Sequence, residues 1–165
     1  MYKVIGGVAI IASFFIMGVK KSIELKRRCQ SLEKMILCVK YIASKVSYGK
    51  DRVEKLFCDT AREFSMPIFY DTALKIKACG VKQAWQTSLK QYKKEFNFTD
   101  QDISACKMLE NLGEFSGREQ ESNIRTTQKL LELSLGEAKE SCIKNAKLYS
   151  SGGALCGILA VILLL

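Results

Sequence analysis

Apolar positions fall into three zones along this chain, and the outer two differ in kind from the middle. Val4 to Val19 carries no charge, and neither does Leu148 to Leu165. Between them, from Lys20 to Lys147, charged and apolar residues alternate at short intervals. As a helix rising about 1.5 Å per residue, the final run would span about 27 Å, close to the roughly 30 Å of bilayer hydrocarbon. Its tail, Ile158 to Leu165, is apolar on every face, unlike a helix that packs one stripe against a core. The pattern predicts a transmembrane helix over 1–19, a helical domain over 20–147 and a second transmembrane helix over 148–165. The first run is not read as a cleavable leader, because Phe14, Phe15, Ile16 and Met17 stand where small residues would be needed for cleavage.

The middle zone reads as helix throughout. Leu25, Leu32, Met35, Ile36, Val39, Ile42, Ala43 and Val46 recur at steps of three and four, continuing the first span as one long helix with a single apolar stripe. Tyr48-Gly49-Lys50-Asp51 breaks it, and Asp51 can cap a second helix bearing Val53, Leu56, Phe57, Ala61 and Phe64. Pro67 suits a first helical turn, with Ser65 ahead of it as a possible cap for Ile68, Ala73, Leu74 and Ile76. Gly80 is expected to end that helix, and Val81, Ala84, Trp85, Leu89 and Tyr92 form a fourth stripe.

Thr99-Asp100-Gln101-Asp102 has the form of a capping sequence ahead of Ile103, Cys106, Leu109 and Leu112. After the Gly113 and Gly117 turn, Ile124, Leu131, Leu135, Ala138 and Cys142 lead into the final span. No strand alternation occurs, so the expected fold is all-α: a bundle of about six helices flanked by two membrane helices.

Charge orients the hairpin. Lys3 alone precedes the first span, whereas Lys20, Lys21, Lys26, Arg27, Arg28 and Lys34 follow it. Lys139, Lys144 and Lys147 precede the second. The positive-inside rule puts this middle zone in the cytoplasm and both termini on the opposite side. Within the spans, Gly6 or Gly7 and the Gly153/Gly157 pair are candidates for close helix packing. The net charge of +9 is partly accounted for by this juxtamembrane cluster, which also suits anionic lipid. With the signs interspersed elsewhere and no aromatic-basic stacking motif, nucleic acid is not an expected partner.

Seven scattered cysteines without a Cys-x-x-Cys pair suggest neither disulfide framework nor zinc site, only small apolar residues in a reducing compartment. With no histidine, Ser-His, Cys-His and His-metal chemistries are excluded, and no G-x-x-x-x-G-K-[ST] is present to hold a nucleotide. Glu119 with Glu121, and Glu137 with Glu140, qualify for acid-base work only if buried. The expectation is a protein that is not an enzyme and holds no cofactor or metal. Lys93-Lys94-Glu95-Phe96 is a possible partner surface. Trp85 would either join it or fill the bundle core, the second being favoured by its place in the stripe.

Met1 to Gly7, the Gly18-Val19-Lys20-Lys21 exit, the Leu25–Val46 stripe closing on Tyr48-Gly49, and the segment from Lys147 to Leu165 together resemble the stage III sporulation protein AB family of endospore-forming bacteria. Leu112-Gly113-x-x-x-Gly117 also falls where that family has a glycine-spaced turn. The family is similar to the inner-membrane platform proteins of type II secretion and type IV pilus machines. The resemblance implies a platform or scaffold component of the channel complex between mother cell and forespore, set in the mother-cell-derived membrane. Its implied partners are a secretion-type cytoplasmic ATPase of the same complex and sibling ring-forming membrane proteins. The alternative left by the residues themselves is a membrane sensor or lipid-binding adaptor that uses the basic cluster.

Overall fold

The computed structural model describes the backbone of residues 2–48, 52–114 and 117–164; the side chains of 1–11, 14, 47–51, 115–117, 146–148 and 150–165 lie outside the described residues. Among the described residues the chain forms five α-helices, one 3₁₀ turn and no strand: α1 Tyr2–Tyr48, α2 Val53–Phe64, α3 Pro67–Tyr92, α4 Asp100–Lys107, the 3₁₀ turn Met108–Asn111, and α5 Gly117–Leu164. Two compact units result, one from residues 30–136 and one from 1–29 with 137–165.

The unit over 30–136 holds the core. From α1 it takes Leu32, Met35, Ile36, Val39 and Ile42, all buried, as the stripe predicts. Cys38 and Ser31 are buried too, which widens the inward arc beyond the predicted stripe. At its centre Phe57 of α2 meets Phe69 and Trp85 of α3, with ring centroids 5.5 and 5.7 Å away, while Phe69 and Trp85 are 5.3 Å apart. Each such pair adds about 0.5–1.5 kcal/mol beyond the area it buries. Trp85 is therefore core rather than partner surface. Ile124 and Leu131 of α5 are also buried. Lys40 of α1 and Glu132 of α5 approach to 3.3 Å on the outer side of this unit.

The stretches on either side of Gly80 are separate helical limbs, as expected, and α3 spans both: Gly80 between them is non-helical, at φ 76° and ψ 167°. An L-residue rarely adopts that conformation, so glycine permits the bend. Other expectations change in detail. Ser65 does not cap α3: it ends α2 in the left-handed region at φ 51°, and Met66 occupies the N-cap position with no side-chain hydrogen bond. Asp51 lies outside the described residues, and the N-cap of α2 is Arg52, again without a side-chain bond. Leu74 is exposed because, at about 100° per residue, it faces well away from the buried arc of Ile68, Phe69, Thr72 and Ala73.

The Thr99 expectation holds in full. Asp102 N–H donates to Thr99 Oγ1 at 3.3 Å and Thr99 N–H donates to Asp102 Oδ2 at 2.8 Å, closing a capping box at the start of α4. Gly113 makes the turn ahead of α5 at φ 92°, where an added Cβ would stand 3.0 Å from Val53 Cγ2.

Candidate docking surface

The turn after α3 is built by its aromatic residues. Phe96 N–H donates to the Tyr92 carbonyl and Phe98 N–H to the Lys93 carbonyl, each at 3.0 Å, and Asn97 takes φ 54°. Phe96 and Phe98 are buried, with Phe96 stacked on Tyr92 at 5.6 Å. That anchoring leaves Lys94 and Glu95 in solvent while Lys93 bonds Asp100 of α4. Of the sequence-predicted partner pair, Lys94 is thus the open cation and Lys93 the cross-link.

A polar strap ties the two limbs of α3 across the Gly80 bend. Asp71 Oδ2 accepts from Lys75 Nζ at 2.5 Å and from Ser88 Oγ at 2.8 Å, and Lys75 donates to Gln91 at 3.1 Å. Burial together with the nearby charges of Asp71 and Glu95 pushes the Tyr92 phenol above its usual range. Further along, Gln86 donates to Glu110 at 2.7 Å, and Lys82 reaches the same carboxylate at 3.8 Å.

The predicted basic residues lie in the other unit. Lys20, Lys21, Lys26 and Arg27 are exposed on α1 and Arg28 is half-buried; Lys21 pairs with Glu24 at 3.2 Å. Lys144 is exposed on α5 and pairs with Glu140 at 2.6 Å. The side chain of Lys147 and the surroundings of Gly6, Gly7, Gly153 and Gly157 lie outside the described residues. Among the described residues no helix is long and apolar enough to cross a membrane.

The carboxylates singled out for acid-base work stand in solvent or against a base. Glu119 and Glu137 are exposed, and Glu121 bonds Arg125 at 2.7 Å. Among the described residues no group of three or more acidic or cysteine side chains is placed to hold a metal ion. The buried thiols are inert rather than poised: burial pushes Cys38 up to about 12, and burial with the Asp102 charge raises Cys106 as well.

Buried hydroxyls are the side chains that sequence reasoning passed over. Thr60, Thr72 and Thr127 each donate to the carbonyl one turn back, at 2.7, 2.7 and 3.0 Å, and so enter the core already satisfied. Their phase with the apolar stripes was the available signal, since Thr127 lies one turn from both Ile124 and Leu131.

Comparison with known proteins places this helical body. The family model for stage III sporulation protein AB matches residues 3–165. The chain is similar to the stage III sporulation protein AB of Bacillus subtilis (strain 168), 22% identical over 171 residues covering 100% of both chains. It is also similar in fold to a solved structure of a stage III sporulation protein AB, with a TM-score of 0.64 and 18% identity, covering 71% of this chain and 97% of that one. A match running almost from end to end, on an all-helical body, means that the chain belongs to the stage III sporulation protein AB family and acts in sporulation.

Proposed function

We propose that this chain is a membrane-anchored platform of the sporulation channel complex between mother cell and forespore, and that its helical body receives a secretion-type cytoplasmic ATPase. The observation that carries the reading is α1, a single helix from Tyr2 to Tyr48 that runs from the uncharged Val4–Val19 segment, through exposed basic turns, into the buried stripe of the core. The final helix α5 has the same plan in reverse, ending in the uncharged Leu148–Leu165 segment. Two apolar anchors around a charged helical body suit a scaffold, and a sequence without a G-x-x-x-x-G-K-[ST] motif leaves ATP hydrolysis to a partner.

In this reading the two spans lie in the mother-cell-derived membrane, the body faces the mother-cell cytoplasm and both termini lie across the membrane. The sibling ring-forming proteins are further partners. Binding of the full chain, held in nanodiscs, to the ATPase encoded with it tests the platform. Saturable binding is expected, and none with both components folded overturns it. Cys58 and Cys79, both partly exposed, test the topology, since labelling by a membrane-impermeant thiol reagent is expected only from the cytoplasmic side.

The exposed Lys20, Lys21, Lys26 and Arg27 favour one second reading, a lipid-binding adaptor. Replacing Lys26, Arg27 and Arg28 by glutamine separates the two. Loss of anionic-vesicle binding with loss of sporulation favours the adaptor, whereas normal sporulation favours the platform.

A further inference from the structure

Between the second limb of α3 and helix α4 lies a cleft of about 100 Å³ lined by Gln86, Leu89, Lys90, Ile103 and Lys107. Its charges are unevenly matched. At one end Lys82 and Gln86 hold Glu110, and at the other Lys93 holds Asp100. Lys90 and Lys107, facing the middle, are exposed and form no ion pair among the described residues. Each occupies the last turn of its helix, where the helix dipole favours a cation, and no carboxylate neutralises it. The floor beneath them is the half-buried Ile103 with the edge of the almost fully buried Leu89.

We propose that this cleft is the seat of an acidic segment of the partner protein, which inserts one branched aliphatic side chain between Leu89 and Ile103 and sets flanking carboxylates on Lys90 and Lys107. Size selects the occupant. A cavity of about 150 Å³ takes a benzene ring, so a smaller one takes an aliphatic side chain and excludes a nucleobase. A lipid phosphate would meet the lysines but leave the half-buried Ile103 open to water. An acidic segment with an aliphatic anchor satisfies both, and such anchors in desolvated pockets ringed by charge are how interfaces concentrate affinity. The inference rests on the platform reading for the identity of the protein that carries the segment.

The test uses the full chain in phosphatidylcholine nanodiscs, with the methyl resonances of Leu89 and Ile103 as reporters. The probe is a synthetic helical peptide whose leucine is flanked one turn away on each side by glutamate, with a glutamine counterpart as control. The acidic peptide is expected to shift both methyls. Lys90→Glu with Lys107→Glu should weaken its binding at least about tenfold, and the milder Lys90→Gln with Lys107→Gln by less. Both lysines are exposed, so the variants keep the wild-type circular dichroism. Equal binding of the glutamine peptide, an unaffected double variant, or the same methyl shifts from phosphatidylglycerol nanodiscs alone would each overturn the proposal. The ATPase supplies the separate arm. Undiminished ATPase binding by the double variant overturns the cleft and leaves the platform standing. Failure of the wild-type chain to bind ATPase, with peptide binding intact, overturns the platform and supports the cleft.

Discussion

The indole Nε1 of Trp85 donates to the backbone carbonyl of Cys106 at 2.8 Å, joining the second limb of α3 to the end of α4 inside the core. One side chain thus fills the centre of the aromatic cluster and satisfies a buried carbonyl on a helix far along the chain. The walls of the Lys90/Lys107 cleft are these same two elements, so the bond fixes the spacing on which that site depends.

Trp85→Phe keeps an aromatic ring but removes the donor and part of the volume. The expected loss is about 2–4 kcal/mol, combining the lost indole hydrogen bond and a residual cavity. Urea denaturation of the two chains measures it. Lys94→Ala, on the exposed turn nearby, should change stability by less than about 0.5 kcal/mol.

Gly80→Ala and Gly136→Ala make a matched pair with opposite signs. An added Cβ meets nothing within 4 Å at either position. Gly80 sits at φ 76°, where alanine is strained, and its replacement should cost about 1–3 kcal/mol. Gly136 lies within α5, and alanine there should stabilise by about 0.5–1 kcal/mol. Thermal melts of both variants give the comparison.

The capping box at α4 sets a third expectation. Thr99→Ala removes the acceptor for the Asp102 N–H and should cost about 1 kcal/mol, while Thr99→Ser should restore most of it. Amide exchange at Asp102 and Ile103 reports the local loss directly.

Alkaline pH should weaken the fold through its buried thiols. Cys38 is raised from 9.0 to about 12, so below about pH 9 it is protonated in both folded and unfolded chains and its contribution is constant. Between about 9 and 12 only the unfolded chain loses the proton, and stability falls by about 1.4 kcal/mol per pH unit. Cys106, raised in the same direction, adds to the slope. The stability gap between wild type and Cys38→Ala should therefore narrow as pH rises from 9 to 10.5. In native labelling, the partly exposed Cys58 and Cys79 should react before either buried thiol.

Acid should loosen a link on the outer side of the core. The Gln128 and Lys40 side chains hold the Glu132 carboxyl below its usual range, so its contribution is present above about 4.5 and is lost as pH falls through the lower folded value. Glu132 is largely exposed, and Glu132→Gln should cost no more than about 1 kcal/mol while flattening that acid limb.

The helices, the bend at Gly80, the Thr99 cap and most of the core were legible because each is local. Apolar spacing, a capping hydroxyl and a glycine act over one or two turns of chain. Register around each helix was less secure, as Leu74 shows: a stripe read from spacing alone admits residues that the helix carries to the wrong face. What only the tertiary structure decided involves partners far apart in the chain, such as the carbonyl that receives Trp85, the strap from Asp71 to Ser88, and the lysine that finds Asp100 while two others find no acid. These depend on how α3 folds back at Gly80 and lays its second limb along α4. Hydrophobic burial drives that approach, but burial is non-directional, so the sequence pattern specifies that the surfaces meet and the packed side chains settle which atoms face each other.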